Sequence, residues 1–185
     1  MPESNFDVDS VSDSGRIVMR SFSESSESGR PSADQPLARV SLTLVRVTIG
    51  SMFVWVFFEN LGKDLYHPSN YAGLIKNYIE NGSAPEAWKQ VMAFMVNHAS
   101  IAAPLQGLTE ISLGVLLLLG LLTRPAALVA FAFLGSLWIS EWGTAWIWEL
   151  LVPVLASLAL VIGSAGRTWG LDSFLARRRP NSLLW

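Results

Sequence analysis

IAAPLQGLTEISLGVLLLLGLLTRPAALVAFAFLGSLWI, residues 101–139, holds a single carboxylate, Glu110, and a single cation, Arg124, within two apolar runs parted by Thr123, Arg124 and Pro125. A helix rises about 1.5 Å per residue and must cross about 30 Å of hydrocarbon. Two such runs, interrupted by Thr-Arg-Pro and resumed at once, read as two membrane helices joined by a tight turn. Outward from this pair, residues 41–58 and 145–163 have the same character. The expected spans are therefore Ser41 to Phe58, Ile101 to Leu122, Pro125 to Ile139 and Ala145 to Gly163. The third is short, and stands nearly upright or borrows an outer turn from Trp138 and Trp142 at the interface.

Hydrophobic residues make up 51% of the 185 and charged ones only 15%, so lipid rather than water must solvate much of the surface. The expected fold is all-α, a bundle of four transmembrane helices over 39–173, with two amphipathic helices in an outer loop at about 66–98. Residues 1–38 are rich in Ser, Asp and Glu and read as a disordered cytoplasmic tail, in which 15–22 form the one apolar and basic patch. Residues 174–185 form a basic cytoplasmic segment.

The outer-loop helices follow from spacing. Tyr71, Leu74, Ile75, Tyr78 and Ile79 share one helical face before an Asn81-Gly82 stop. Ser83 with Glu86 suggests a capping box ahead of a second face of Trp88, Val91, Met92, Met95 and Val96. Such a pair either clasps the first two spans at the interface or forms a lid over an apolar ligand.

Every Lys, at 63, 76 and 89, lies between the first two spans, while every Arg lies in the tail, at the start of the first span, in the Arg124 turn or after Gly163. By the positive-inside rule this is a multi-pass protein of the cytoplasmic (inner) membrane with both termini cytoplasmic. Glu59, Lys63 and Trp88 then belong to the outer interface, and Arg124, Arg167 and Asp172 to the cytoplasmic turn and anchor. Near-neutral net charge gives no reason to expect nucleic acid. There is no cysteine, and His67 and His98 both fall in the outer loop, which excludes disulfides, thiolate chemistry and a bis-histidine haem within the bundle. No metal site and no covalently or Cys/His-held cofactor is expected, and any redox role runs through a diffusible carrier such as a quinone.

Projection at 100° per residue sends Arg46, Gly50, Phe53, Phe57 and Asn60 to one face of the first span, and Gln106, Gly107, Glu110 and Gly114 to one face of the second. It also aligns Glu149 with Pro153, Ala156, Leu160 and Gly163 in the fourth, pointing Glu149 inward. Intramembrane charges are costly and mark function unless they pair. An Arg46–Glu110 pair is expected. Either Glu149 is structural, or it joins Trp142, Trp146 and Trp148 in lining a quinone site.

Arg46 with Gly50, Asn60 with Lys63-Asp64-Leu65-Tyr66, Glu110 with Gly114, the run from Leu117 through Gly120-Leu121-Leu122-Thr123-Arg124-Pro125 to Ala127, and Gly166-Arg167 before Gly170-Leu171-Asp172 together carry a likeness. The chain resembles the DoxX/DoxD superfamily, which includes the small subunit of thiosulfate:quinone oxidoreductase. That resemblance implies a membrane subunit of a quinone-linked oxidoreductase complex, anchoring it and supplying part of a quinone pocket, and not catalytic alone. The alternative is a structural or assembly subunit of a larger bioenergetic membrane complex. A transporter lacks the expected inverted repeat.

Overall fold

The computed structural model describes residues 34–163 and 170–178, with side chains for 40–163 and 170–174. The 15–22 patch, Arg167 and Arg179 lie outside the described residues. The core and the site described below lie in the unit Leu37–Trp185.

All regular structure among the described residues is helical: α1 (Asp34–Gly62), α2 (Pro68–Asn81), α3 (Glu86–Asn97), α4 (Ala99–Leu119), α5 (Thr123–Ser140), α6 (Ile147–Gly163) and α7 (Leu171–Arg178). α1 starts within the expected tail, with Pro36 in the first turn where its missing N–H is tolerated. Three segments, Val40–Gly62, Ala99–Leu119 and Thr123–Ser140, are long and apolar enough to cross a membrane, and Ile147–Gly163 is a shorter apolar helix. Only 22–33% of each long segment is buried inside the protein. The rest is an apolar exterior, Trp55, Leu108 and Val129 included, of an extent that soluble proteins avoid.

The second long helix stops three residues before the expected Leu122. Gly120 adopts the left-handed conformation (φ 62°), and Leu122 does too (φ 51°). That region costs a non-glycine residue about 1 to 2 kcal/mol, so something must hold Leu122 there. The holder is Asp172, whose carboxylate accepts the backbone N–H of Leu122 at 2.8 Å and of Thr123 at 2.7 Å, while its own N–H donates to Gly120 O at 2.9 Å. α7 thus clamps the α4–α5 turn and caps α5 from a distance.

α1 and α4 cross backbone to backbone at two glycines. A Cβ on Gly50 would sit 2.9 Å from Leu118 N, and one on Gly114 would sit 2.7 Å from Val54 Cγ2 and 3.2 Å from Gly50 O. Small residues allow such close approach between membrane helices. Around this crossing Ile49, Phe53, Leu113, Leu117, Ala127, Ala130, Leu134, Val154 and Leu160 form the bundle core.

A second core joins Tyr71 and Ile75 of α2 with Ala84, Met92 of α3, and Ala99 and Ala103 of α4. It roofs the end of the bundle opposite the Gly120 turn. The expected Ser83–Glu86 capping box does not form: Pro85 is the N-cap of α3, and its carbonyl takes the N–H of Trp88 and Lys89. Ser83 is used elsewhere, its N–H donating to Trp142 O at 2.6 Å and tying the hairpin loop to the end of α5.

Candidate functional site

Glu110 lies at the centre of the roofed end, 1% exposed, in a cradle of neutral donors. Asn60 Nδ2 reaches Oε1 at 3.3 Å and Oε2 at 3.1 Å, Gln106 Nε2 donates to Oε1 at 3.0 Å, and the Tyr66 hydroxyl donates to Oε2 at 2.5 Å. Each oxygen receives two donors, which replaces the hydration an intramembrane carboxylate loses. Tyr66 reaches inward because Asp64 turns the chain in the left-handed region (φ 54°), a conformation Asp tolerates, and Asn70 Nδ2 braces that turn through Asp64 O at 3.0 Å. Its ring stacks on Phe57 with centroids 5.5 Å apart and occupies the space left by Gly107, where a Cβ would lie 3.0 Å from the ring. Burial first, then the bond to Glu110 and its charge, pushes the Tyr66 phenol above its usual range, so it remains a donor at neutral pH.

The expected Arg46–Glu110 pair is not made. Arg46, 2% exposed, packs at the other end of the bundle against Gly120 and Gly170, and the charge acting on it is that of Asp172. Glu110 is served instead by neutral donors: Asn60 and Gln106 from the projected faces of α1 and α4, and Tyr66 from the α1–α2 connection, which the helical projection did not include.

Beside the cradle a cavity of about 560 Å³ opens between α2, α3, α4 and α5. Its wall is mostly apolar, with Ile75, Met95, Ala102, Leu105, Phe133 and Leu137, and with Tyr71, Gln106, His98 and Trp88 as polar or amphipathic members. Gln106 belongs to both sites. Tyr71 is 1% exposed, and its buried hydroxyl makes no hydrogen bond among the described residues. Trp88 Nε1 donates to Ser140 Oγ at 2.8 Å, which fastens α3 to α5 across the cavity. Val91, Phe94, Ile101 and Leu105 are exposed at the rim, continuous with the apolar exterior.

A DoxX family model matches residues 41–142. The chain belongs to the DoxX family. No solved structure matches it. The DoxX segment contains the whole Glu110 cradle and every residue lining the cavity, whereas α6 and Asp172 lie beyond it. The part of the molecule that makes it a DoxX protein is therefore the part that builds this site.

The aromatic corner expected at Trp142, Trp146, Trp148 and Glu149 is arranged differently from the sequence projection. Trp142, Trp146 and Trp148 are 50%, 73% and 54% exposed, and Glu149 is exposed rather than inward. The inward face of α6 is Val154, Ser157 and Leu160. α6 is apolar almost all round, so one polar residue in its first turn was a poor pointer to its face. Trp142 and Trp146 do line a small cavity of about 210 Å³ with Trp138 and Glu141, but Trp148 and Glu149 are not part of its wall. Glu141 accepts the Tyr78 hydroxyl at 3.0 Å, joining α2 to the end of α5.

Glu59 and Lys63 form an exposed ion pair at 2.6 Å, one helical turn apart, of the kind that adds little stability. Arg124 sits half-buried in the first turn of α5, beside the Asp172 clamp. Among the described residues no group of His, Asp and Glu could hold a metal. Tyr66, Tyr71, Tyr78 and Glu141 were not singled out as site residues from sequence. The available signal was that Tyr71 and Tyr78 fall on the buried face of an amphipathic helix, where a phenol needs a partner for its hydroxyl.

Proposed function

We propose that this protein is an integral membrane subunit of a quinone-linked oxidoreductase complex, and that the cavity beneath α2 and α3 takes the quinone headgroup. The observation that carries this reading is Tyr71, a buried phenol with no hydrogen-bond partner among the described residues, on the wall of a mostly apolar cavity of ligand size. Leaving a buried hydroxyl unsatisfied costs about 1 to 3 kcal/mol, which a bound oxygen would offset. Gln106 supplies a second polar group, and the exposed apolar rim suits an isoprenoid tail leaving sideways into lipid. On this reading the headgroup lies in the DoxX-matched segment rather than among the tryptophans of the α5–α6 turn.

The orientation belongs to the same proposal. The α2–α3 roof faces the outside of the cytoplasmic membrane and both termini face the cytoplasm, on the Lys and Arg segregation. Lys63, Lys76 and Lys89 should be modified by an impermeant amine reagent in intact spheroplasts while a terminal tag stays protected; a reactive tag with silent lysines inverts the orientation. Purification in mild detergent, with identification of co-purifying subunits and extraction of quinone, tests the function. Wild-type protein should carry stoichiometric quinone, and Tyr71→Phe should carry less with the complex intact. A complex that assembles fully and holds no quinone would leave the second reading, an assembly subunit. Exposed Glu149 on the apolar exterior favours that reading, because a neighbouring chain could supply its cation.

A further inference from the structure

We infer that the small cavity between the last turn of α5 and the first turn of α6 binds an organic ammonium group, the cation carried by choline and ethanolamine and by the headgroups of zwitterionic phospholipids. The inference stands apart from the quinone-site reading, which concerns the other cavity.

Glu141, the ionisable residue in the wall of this cavity of about 210 Å³, is a carboxylate short of positive charge. Its Oε1 accepts the Tyr78 hydroxyl at 3.0 Å, and its Oε2 accepts no hydrogen bond among the described residues. Three features of the surroundings disfavour its negative charge. It is half-buried. It caps the C-terminus of α5, the negative end of the helix dipole, where the last turn carries no basic residue. The charge acting on it is that of Glu149, another carboxylate. Burial is accordingly the largest influence on its pKa and raises it, and Glu149 raises it further against the Tyr78 bond. Among the described residues neither Glu141 nor Glu149 forms an ion pair. One cation in the cavity would relieve all three.

The rest of the wall decides what kind of cation. Trp138 and Trp142 stack with ring centroids 5.4 Å apart, and Trp146 adds a third indole. A hard ion such as Ca²⁺ takes about six to eight oxygens, and among the described residues no group of His, Asp and Glu could hold a metal. An alkylated ammonium needs few oxygens and is attracted to tryptophan rings, so one carboxylate among indoles suits it. The volume falls below the about 300 Å³ at which sites for drug-sized ligands begin, which fits one small headgroup. Exposed tryptophans are ordinary at a membrane interface, but these wall in a carboxylate. Trp142 and Trp146 are exposed, so a ligand arriving from the headgroup layer displaces no part of the core. The Ser83 N–H bond to Trp142 O and the Tyr78 bond to Glu141 tie this corner to the α2–α3 hairpin, which fixes the wall before a ligand arrives.

The test is calorimetric titration of the purified full chain, in a maltoside detergent that carries no ammonium, with choline and with its uncharged isostere 3,3-dimethylbutanol. Choline should bind saturably and at least tenfold more tightly than the alcohol. Glu141→Gln, which keeps an acceptor for Tyr78, should weaken choline at least tenfold, and Trp146→Leu, at a residue 73% exposed, should weaken it several-fold. Thermal midpoints in micelles doped with equal fractions of phosphatidylcholine, phosphatidylethanolamine or phosphatidylglycerol separate the sources of the ammonium. A rise with the first two that is absent in Glu141→Gln assigns it to a lipid headgroup, whereas choline binding without that rise assigns it to a free amine. An alcohol as tight as choline, or choline binding unchanged in Glu141→Gln, overturns the inference. So does the absence of choline binding together with equal midpoints in the three lipids, which leaves the tryptophans as an interfacial belt. The comparison of choline with the alcohol needs no variant, so a poorly folding Glu141→Gln protein would not shield the idea.

Discussion

Asp172 holds Thr123, accepting its backbone N–H at 2.7 Å, and thereby caps a helix that begins far away in the chain. The same carboxylate takes the N–H of strained Leu122 and is the charge acting on Arg46. Three demands of the turn end meet in one side chain that is itself fully buried.

Substitution there should accordingly be severe. Losing a capping side chain costs about 0.5 to 2 kcal/mol, and stripping one partner from a buried charge pair about 3 to 5 kcal/mol. Asp172→Ala should therefore destabilise the bundle by about 3 kcal/mol or more in denaturant-titrated unfolding. In double-mutant cycles Arg46→Leu should couple to Asp172→Leu by more than about 1 kcal/mol and be additive with Glu110→Leu to within about 0.5 kcal/mol. Strong coupling between positions 46 and 110 would contradict the separation of the two clusters.

At the roofed end the Tyr66 hydroxyl is one of the donors that stand in for water around Glu110. Tyr66→Phe keeps the stack on Phe57 and removes only that donor, so the loss should be about 1 to 3 kcal/mol. Gly107→Leu should lose at least as much by evicting the ring, whose atoms lie 3.0 to 3.2 Å from a Cβ at that position. Equal stability of wild type and Tyr66→Phe would mean that the cradle is already satisfied without the phenol.

Glycine substitutions separate packing from helix propensity. Gly50→Ala places a Cβ 2.9 Å from backbone Leu118 N, which no rotamer change relieves, and should cost about 1 to 3 kcal/mol. Gly73→Ala and Gly135→Ala meet nothing within 4 Å, and in helix interiors should be neutral or stabilise by up to about 1 kcal/mol. Thermal unfolding of the three single variants checks the order. A neutral Gly50→Ala would refute the close α1–α4 crossing.

Much of this architecture was legible because lipid imposes a simple pattern. Apolar runs located the helices, and the stripes Arg46, Gly50, Phe53 and Gly107, Glu110, Gly114 located the buried faces of α1 and α4, where small and polar residues contrast with leucine. α6 offered no contrast, since apolar residues cover all its faces and Glu149 sits in the first turn, where a helix N-terminus favours a carboxylate whichever way it points. The partners of the buried charges were hidden for a different reason. Tyr66 arrives from the α1–α2 connection and Asp172 from α7 beyond the last span, so projection of the spans showed Glu110 only Asn60 and Gln106 of its donors and showed Arg46 no carboxylate but Glu110 and Glu149. The cavity was hidden because no helix owns it: its wall is shared among α2, α3, α4 and α5.

Glu141 gives the bundle a pH dependence of unusual sign. It stands just beyond α5, accepting the Tyr78 hydroxyl at 3.0 Å. Burial is the largest influence on it and raises its pKa, the nearby Glu149 charge raises it further, and the Tyr78 bond opposes them without prevailing. Tyr78 is itself pushed well above the usual phenol range, by burial first and then by Glu141, so it does not titrate in the same window. A carboxyl group with a raised folded-state pKa binds more protons in the folded than in the unfolded chain between the two values. The stability it contributes is therefore greatest below the ordinary glutamate pKa and declines as pH rises through the raised one. Most paired carboxylates give the opposite slope. Glu141→Gln keeps an acceptor for Tyr78 and removes the charge, so it should flatten this decline and leave the variant more stable than wild type above the raised value. Unfolding midpoints of both proteins, measured across mildly acidic to neutral pH in one detergent, decide it. Parallel curves would mean that Glu141 is hydrated in the folded protein, and a steeper decline in the variant would mean that its charge is stabilising.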